Sequence, residues 1–198
     1  MSARVPSLEP EEWSDDVRAL LGDTLGPVAG LEGEGGRAAA DLRPLNILTV
    51  IARQPRLLAP FLAWAATLAL DGALSRRDHE LLALRTAFLC RSPFEWAHHA
   101  VYARGVGLTD DEIDRVAAGP DAGWPDGEAA LLRAADELHG DSTIGDPTWE
   151  TLAARYELDA LVEVCFVVGQ YTMLSMVANA TGVKTEPGLD PLPEDAGT

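Results

Sequence analysis

Three side chains between positions 92 and 99 have types and a spacing suited to proton transfer. At ~100° per residue Ser92, Glu95 and His99 fall on one stripe of a helix. Glu95 and His99 stand four apart, within hydrogen-bonding reach along that helix. A carboxylate beside an imidazole can hold its charge and fix its tautomer, as general acid–base catalysis requires. The same letters also spell a helix start. Ser-x-x-Glu with Pro93 at the first helical position is a capping box, which by itself accounts for Ser92, Pro93 and Glu95. His98 lies about 100° round from His99 and is expected at the surface or an interface. His79 and His139 have no partner at telling spacing. Glu95-x-x-His98 is half of a di-iron helix motif, but no second Glu-x-x-His occurs in the chain. No metal and no cofactor are expected.

Arg85 is the other residue that asks for a partner. Its neighbours at three and four residues are Leu81, Leu82, Phe88 and Leu89, all apolar. A guanidinium in the middle of such a face is costly unless something negative meets it. That group is either a protein carboxylate, with Glu80, Glu95 and Glu163 as the candidates, or an anionic ligand.

The elements that must position these residues read as helix after helix. Residues 8–21 place Trp13, Val17, Leu20 and Leu21 on one face. Six glycines between Gly22 and Gly36 mark a loop or arm. A helical run follows Pro44, and Pro55 restarts the chain. Ser75 caps the next helix, which continues to Cys90. Ser92 opens the helix of the candidate site, ending at Gly105 or Gly107, and Thr109 opens a short one. Beyond the break at 119–127 come a helix from Glu128 to His139 and one begun by Asp146-Pro147. A long apolar helix then runs from about Asp159 to Ala180 and stops at Gly182. No sustained alternation of period two occurs, so the expected fold class is all-α in one compact domain. The expected division is an N-terminal helix and Gly-rich arm over 1–40, a helical domain over 41–184 and an acidic, Pro-rich tail over 185–198.

Composition bounds what such a domain does. Fifteen Lys and Arg against 32 Asp and Glu give a formal charge of −17, which disfavours nucleic acid and anionic membranes as partners. With 47% hydrophobic and 24% charged residues the chain is an ordinary globular one. The apolar stretch 160–180 holds Glu163, Gln170 and Asn179, and so is expected as a core helix rather than a membrane span. Cys90 and Cys165 form neither a disulfide framework nor a zinc pattern, and no charged-then-apolar leader opens the sequence. The expected compartment is a reducing cytoplasm.

The stretch RRDHELLALRTAFLCRSPFEWAHHAVYARGVGLTDDEI resembles the carboxymuconolactone decarboxylase family, which also contains alkylhydroperoxidase D. In the peroxidase branch a Glu precedes Cys-x-x-Cys by twelve residues and a His follows four further on. Glu80, Ser92, Glu95 and His99 keep those intervals, with Ser92 and Glu95 where the redox cysteines would stand. The decarboxylase branch resembles Glu-x-x-x-His followed by Gly and an acidic turn, which Glu95, His99, Gly107 and Thr109–Ile113 match. A dithiol peroxidase needs an attacking thiolate and a resolving thiol, and serine is neither. The resemblance therefore implies cofactor-independent lyase or isomerase chemistry on a small carboxylated or lactone substrate. Glu80, Glu95 and His99 would be catalytic, and Arg85 and Ser92 would contact substrate. It further implies a homo-oligomer, trimer or hexamer, to which Trp13, Phe61, Trp64 and Trp96 would contribute apolar surface. A biosynthetic cyclase or dehydratase on the same site, an alkylhydroperoxidase-like antioxidant protein and a non-catalytic ligand-binding oligomer stay open as alternatives. The missing Cys-x-x-Cys counts against the antioxidant reading.

Overall fold

A computed structural model of the chain describes residues 3–21 and 45–194. The Gly-rich arm anticipated between Gly22 and Gly36 lies outside the described residues. Those described form helices and no strand. A 3₁₀ turn at Pro10–Glu12 precedes α1 at 15–21. Then follow α2 (Asn46–Ile51), α3 (Pro55–Leu70), α4 (Arg76–Leu89), α5 (Pro93–Gly105) and α6 (Asp110–Ala118). The order closes with α7 (Asp126–Asp141), α8 (Asp146–Ala153) and α9 (Leu158–Thr181). The single helix expected over 8–21 is thus split in two. The Trp13 indole donates to the Leu8 carbonyl, and the Ser14 hydroxyl accepts from Val17 N, starting the helix afresh.

α4 is the centre of the molecule. Every residue from Asp78 to Ala87 is buried, because α5, α7 and α9 pack around it. Such a helix can carry charge only where another element supplies the opposite sign. Arg77 meets Glu112 of α6 and Glu128 of α7, Asp78 meets Arg155, and Glu80 meets His99 of α5. Arg85 meets Asp136 of α7, at 2.6 Å from Nε and 3.1 Å from Nη2. Its Nη1 also donates to the Val116 and Ala117 carbonyls. The partner is therefore none of the three carboxylates expected from sequence. Glu163 instead accepts from the Ala73 and Leu74 amides, fixing the turn that leads into α4.

The α4–α5 connection is a tight reversal. Arg91 adopts a left-handed φ of 50°, and Ser92 N donates to the Ala87 carbonyl. α5 therefore starts beside the end of α4 and runs back along it.

α9 packs Ala160, Val164, Val167, Val168 and Tyr171 inward and ends at Gly182, whose φ of 73° terminates the helix in the left-handed region. Its length and hydropathy would suffice to cross a membrane, and half of its apolar window is buried within the protein. Its other face exposes Val162, Phe166, Met173 and Met176, and the Phe166 ring meets exposed Trp64 of α3 edge-on at 5.2 Å. Trp96, expected to serve assembly, is instead core at 2% exposure. Cys165 is exposed. Past Gly182 the chain is anchored: Asn46 N donates to Glu186 at 2.9 Å, Asn46 Nδ2 donates to the Lys184 carbonyl, and Asp190 pairs with Arg104.

Candidate functional site

α2, α3, α4, α5 and α9 enclose a cavity of about 220 Å³. Its walls come mainly from α2 and α3, with Ile47, Leu48, Phe61, Leu62 and Ala65 among them. Its inner end is polar. α4 contributes His79 and Glu80, α5 contributes Glu95, His98, His99 and Tyr102, and α9 contributes Gln170 and Tyr171.

His99 sits between two carboxylates from different helices. Its Nδ1 donates to Glu80 Oε2 at 2.7 Å, which turns Nε2 toward Glu95, whose Oε2 lies 3.8 Å away. The first contact is a charge-assisted hydrogen bond, and the second is too long to be one. An atom placed between Glu95 and His99 would meet both. Glu95 Oε1 is buried without a hydrogen-bond partner, as is Gln170 Oε1. Both residues line the cavity.

The electrostatics follow from burial and from this sandwich. Burial pushes the Glu95 carboxyl above the usual range, against a smaller opposing effect of His99 and His98. Burial alone would lower His99, but the charge and hydrogen bond of Glu80, joined by the charge of Glu95, outweigh it and raise His99. His79 is lowered, chiefly by burial. Its Nε2 is 2.8 Å from the Tyr171 hydroxyl, which burial and the charges of Glu80 and Glu95 hold protonated well above its usual range. The Tyr171 ring stands edge-on to His99 with centroids 4.3 Å apart.

The helix-start reading of Ser92 and Glu95 is half realised. Ser92 Oγ accepts from Glu95 N at 3.4 Å, but no return bond runs from the Glu95 carboxylate to the Ser92 amide, which is taken by Ala87. The Glu95 side chain is thus left for the cavity. Ser92 caps α5 and does not line the cavity, and neither does Arg85, held between α4 and α7. Glu80, Glu95 and His99 are brought together, while Ser92 and Arg85 stand apart from them. His98 is buried rather than at the surface: its Nδ1 donates to the Phe94 carbonyl and its Nε2 is 2.8 Å from Glu186 Oε2. His79, Tyr171 and Gln170 escape a reading by local spacing. Gln170 did carry a signal, as an uncharged polar group amid an apolar helix. Cys90 Sγ lies 3.7 Å from His139 Nδ1 and outside the cavity lining, and burial raises both thiols. Among the described residues no three His, Cys, Asp or Glu side chains are arranged to hold a metal ion.

Residues 55–137, spanning α3 to most of α7, match the model of the carboxymuconolactone decarboxylase family. Through this segment the chain is similar to the carboxymuconolactone decarboxylase family. No curated protein matches it in sequence. Among solved structures it is similar to an alkylhydroperoxidase AhpD core protein from Ralstonia eutropha JMP134, with 19% identity, 93% of each chain covered and a TM-score of 0.77. The debrominase Bmp8, in a cysteine-to-alanine form bound to 2,3,4-tribromopyrrole, has 13% identity, 94% coverage of each chain and a TM-score of 0.74. A putative antioxidant defence protein AhpD from Agrobacterium tumefaciens has 19% identity and a TM-score of 0.64, covering 69% of this chain and 94% of its own. These likenesses establish an alkylhydroperoxidase D-like fold for this chain. Where the resemblance expects redox cysteines, the sequence has Ser92 and Glu95.

Proposed function

We propose that this protein, similar to the carboxymuconolactone decarboxylase family, is a cofactor-independent enzyme performing acid–base lyase or isomerase chemistry on a small organic substrate. The observation that carries the reading is the buried Glu95 carboxyl. One oxygen has no partner, the other is 3.8 Å from His99 Nε2, and the residue lines the cavity. A capping glutamate would have spent that oxygen on the Ser92 amide.

In this reading Glu80 positions His99 and holds its Nδ1 proton, so that Nε2 faces the reacting atom. Glu95 and His99, whose proton affinities are raised by burial and by Glu80, act as a pair in which one enters deprotonated and takes a proton from the substrate while the other enters protonated and gives one. Withdrawal at one position and delivery at the other is an isomerisation. Delivery to a carbon as carbon dioxide or another group departs is a lyase step. The Tyr171 hydroxyl, protonated throughout, adds a neutral donor nearby. The chemistry uses no thiol, in keeping with the raised Cys90 and Cys165. A fold neighbour that binds a halogenated pyrrole supports a small-molecule occupant.

The test is turnover of small carboxylated lactones, followed by direct product analysis. His99→Gln and Glu95→Gln both preserve the α5 cap, which uses the Glu95 backbone. Each is expected to lower the rate by about 10²–10⁴ while the protein melts near the wild-type temperature. Replacing both cysteines with Ala should leave most activity. Wild-type rates in both relay variants would end the proposal, as would complete loss in a folded double cysteine variant.

A further inference from the structure

Most of the charged and ring groups at the inner end of the cavity are already committed to one another. Glu80 holds His99, His79 holds Tyr171, and His98 faces Glu186. Arg76 differs. It is the first residue of α4, it lines the cavity, it is exposed, and it has no hydrogen-bond or ion-pair partner among the described residues. Arg77 next to it is fully engaged by Glu112 and Glu128. The Arg76 charge acts inward as well, since after burial and other charges it helps to lower the buried His79.

Arg76, His79 and Glu80 stand at i, i+3 and i+4 and so share one face of α4. Arg76 is exposed at one end of that face, and Glu80 is buried against His99 at the other. Four residues of helix rise about 6 Å, so Arg76 and Glu80 are separated along α4 by about one turn. The same cavity is lined by apolar residues of α3, Phe61, Leu62, Ala65, Ala69 and Leu70 among them. In an acidic chain of net charge −17, an arginine at a cavity with no partner among the described residues is a local reversal of sign that favours an anion.

We propose that Arg76 is the specificity-determining anion contact of this cavity. The ligand is a small monocarboxylate with an apolar body, its carboxylate on Arg76 at the mouth and its reacting atom at Glu95 and His99. The proposal deepens the acid–base reading and rests on it for the identity of the inner end. One consequence is chemical. A carboxylate held a helical turn away from the relay is a handle that the product keeps, so any group lost or shifted lies several bonds from it.

Titration calorimetry on the full chain, with 4-phenylbutanoate and its uncharged counterpart 4-phenylbutan-1-ol as probes, tests the assignment without turnover. Wild type is expected to bind the carboxylate about tenfold more tightly than the alcohol, with the difference shrinking at high salt. Arg76→Gln should erase that preference by weakening the carboxylate about tenfold and leaving the alcohol unchanged, and Arg76→Lys should restore part of it. Ala65→Trp, which fills the cavity, should abolish binding of both. Equal affinities in wild type, binding of neither probe, an unchanged preference in Arg76→Gln, or unaltered binding in Ala65→Trp overturns the proposal. Glu95→Gln separates the two claims. Carboxylate binding that depends on Arg76 persists in it if only the acid–base reading fails.

Discussion

Glu95 and His99 both bind a proton more tightly in the folded protein than in the unfolded chain, Glu95 through burial and His99 because Glu80 and Glu95 outweigh burial. The native state therefore retains protons that the unfolded chain releases, and stability falls as pH rises. For His99 that stabilisation is full below its ordinary 6.5 and is lost as pH climbs through its raised native value. His79 acts oppositely, because burial keeps it neutral, but its effect is complete once pH passes 6.5. The thiols and Tyr171 enter at higher pH, so melting temperature is expected to decline through the relay as pH rises above about 6.5. Glu95→Gln removes one retained proton and also a charge that raises His99, so its decline should be shallower. A slope identical to wild type would mean that the two groups are not coupled as described. Glu95 and His99 were legible in the sequence because their coupling is local, four residues along one helix. Glu80 was legible through the family's interval. Tyr171 was not, since it meets His79 from 92 residues away, and Arg76 was not, since a free arginine at a helix start looks like any solvated one. Arg85 drew attention for a sound reason, a charge on an apolar face, yet its partner Asp136 belongs to a helix that no spacing rule connects to it.

The elements were easier to read than their contacts, because helix ends are local chemistry. Ser75, Ser92 and Thr109 each accept a hydrogen bond from the amide three residues on, and the helices begin where those residues stand. Asp146 was expected to cap α8, but Gly145 holds that place, and its amide is bound by Glu137 of α7. Within the acidic, Pro-rich tail expected over 185–198, Glu186 reaches α2 and His98, a contact 140 residues long that composition does not announce. α4 invites a test at this scale. Asp136→Asn keeps the size of the side chain but removes the carboxylate from Arg85, whose side chain is 10% exposed. A fully buried pair broken on one side costs about 3–5 kcal/mol. Two carbonyls still hold Arg85 and Asp136 is partly exposed, so a loss of about 1–3 kcal/mol in urea unfolding is expected. Binding of 4-phenylbutanoate by the folded variant should match wild type. Weakened binding at unchanged stability would return Arg85 to the substrate site.

At the scale of the whole molecule, one apolar face is left uncovered by the described residues. Val162, Phe166, Met173 and Met176 form a stripe along α9, and Leu57 and Trp64 of α3 extend it, joined by the Trp64–Phe166 ring contact. Contiguous apolar surface of this kind is what an interface between copies of a chain uses. It is a better basis for the expected homo-oligomer than Trp96 or Phe61, which the core and the cavity wall claim. A charge of −17 per chain opposes association, so screening should strengthen it. Sedimentation at micromolar concentration is expected to show a species several times 21.1 kDa, more fully populated at high than at low salt. Phe166→Glu combined with Met176→Glu should return it to a single chain. A 21.1 kDa species throughout the salt range would refute assembly through this face. The same helix α3 presents Phe61, Leu62 and Ala65 to the cavity and Trp64 to the exposed stripe, so association would brace the cavity wall from behind. The dissociated double variant should therefore bind 4-phenylbutanoate more weakly than wild type while keeping its preference over the alcohol, because the wall loosens and Arg76 is untouched.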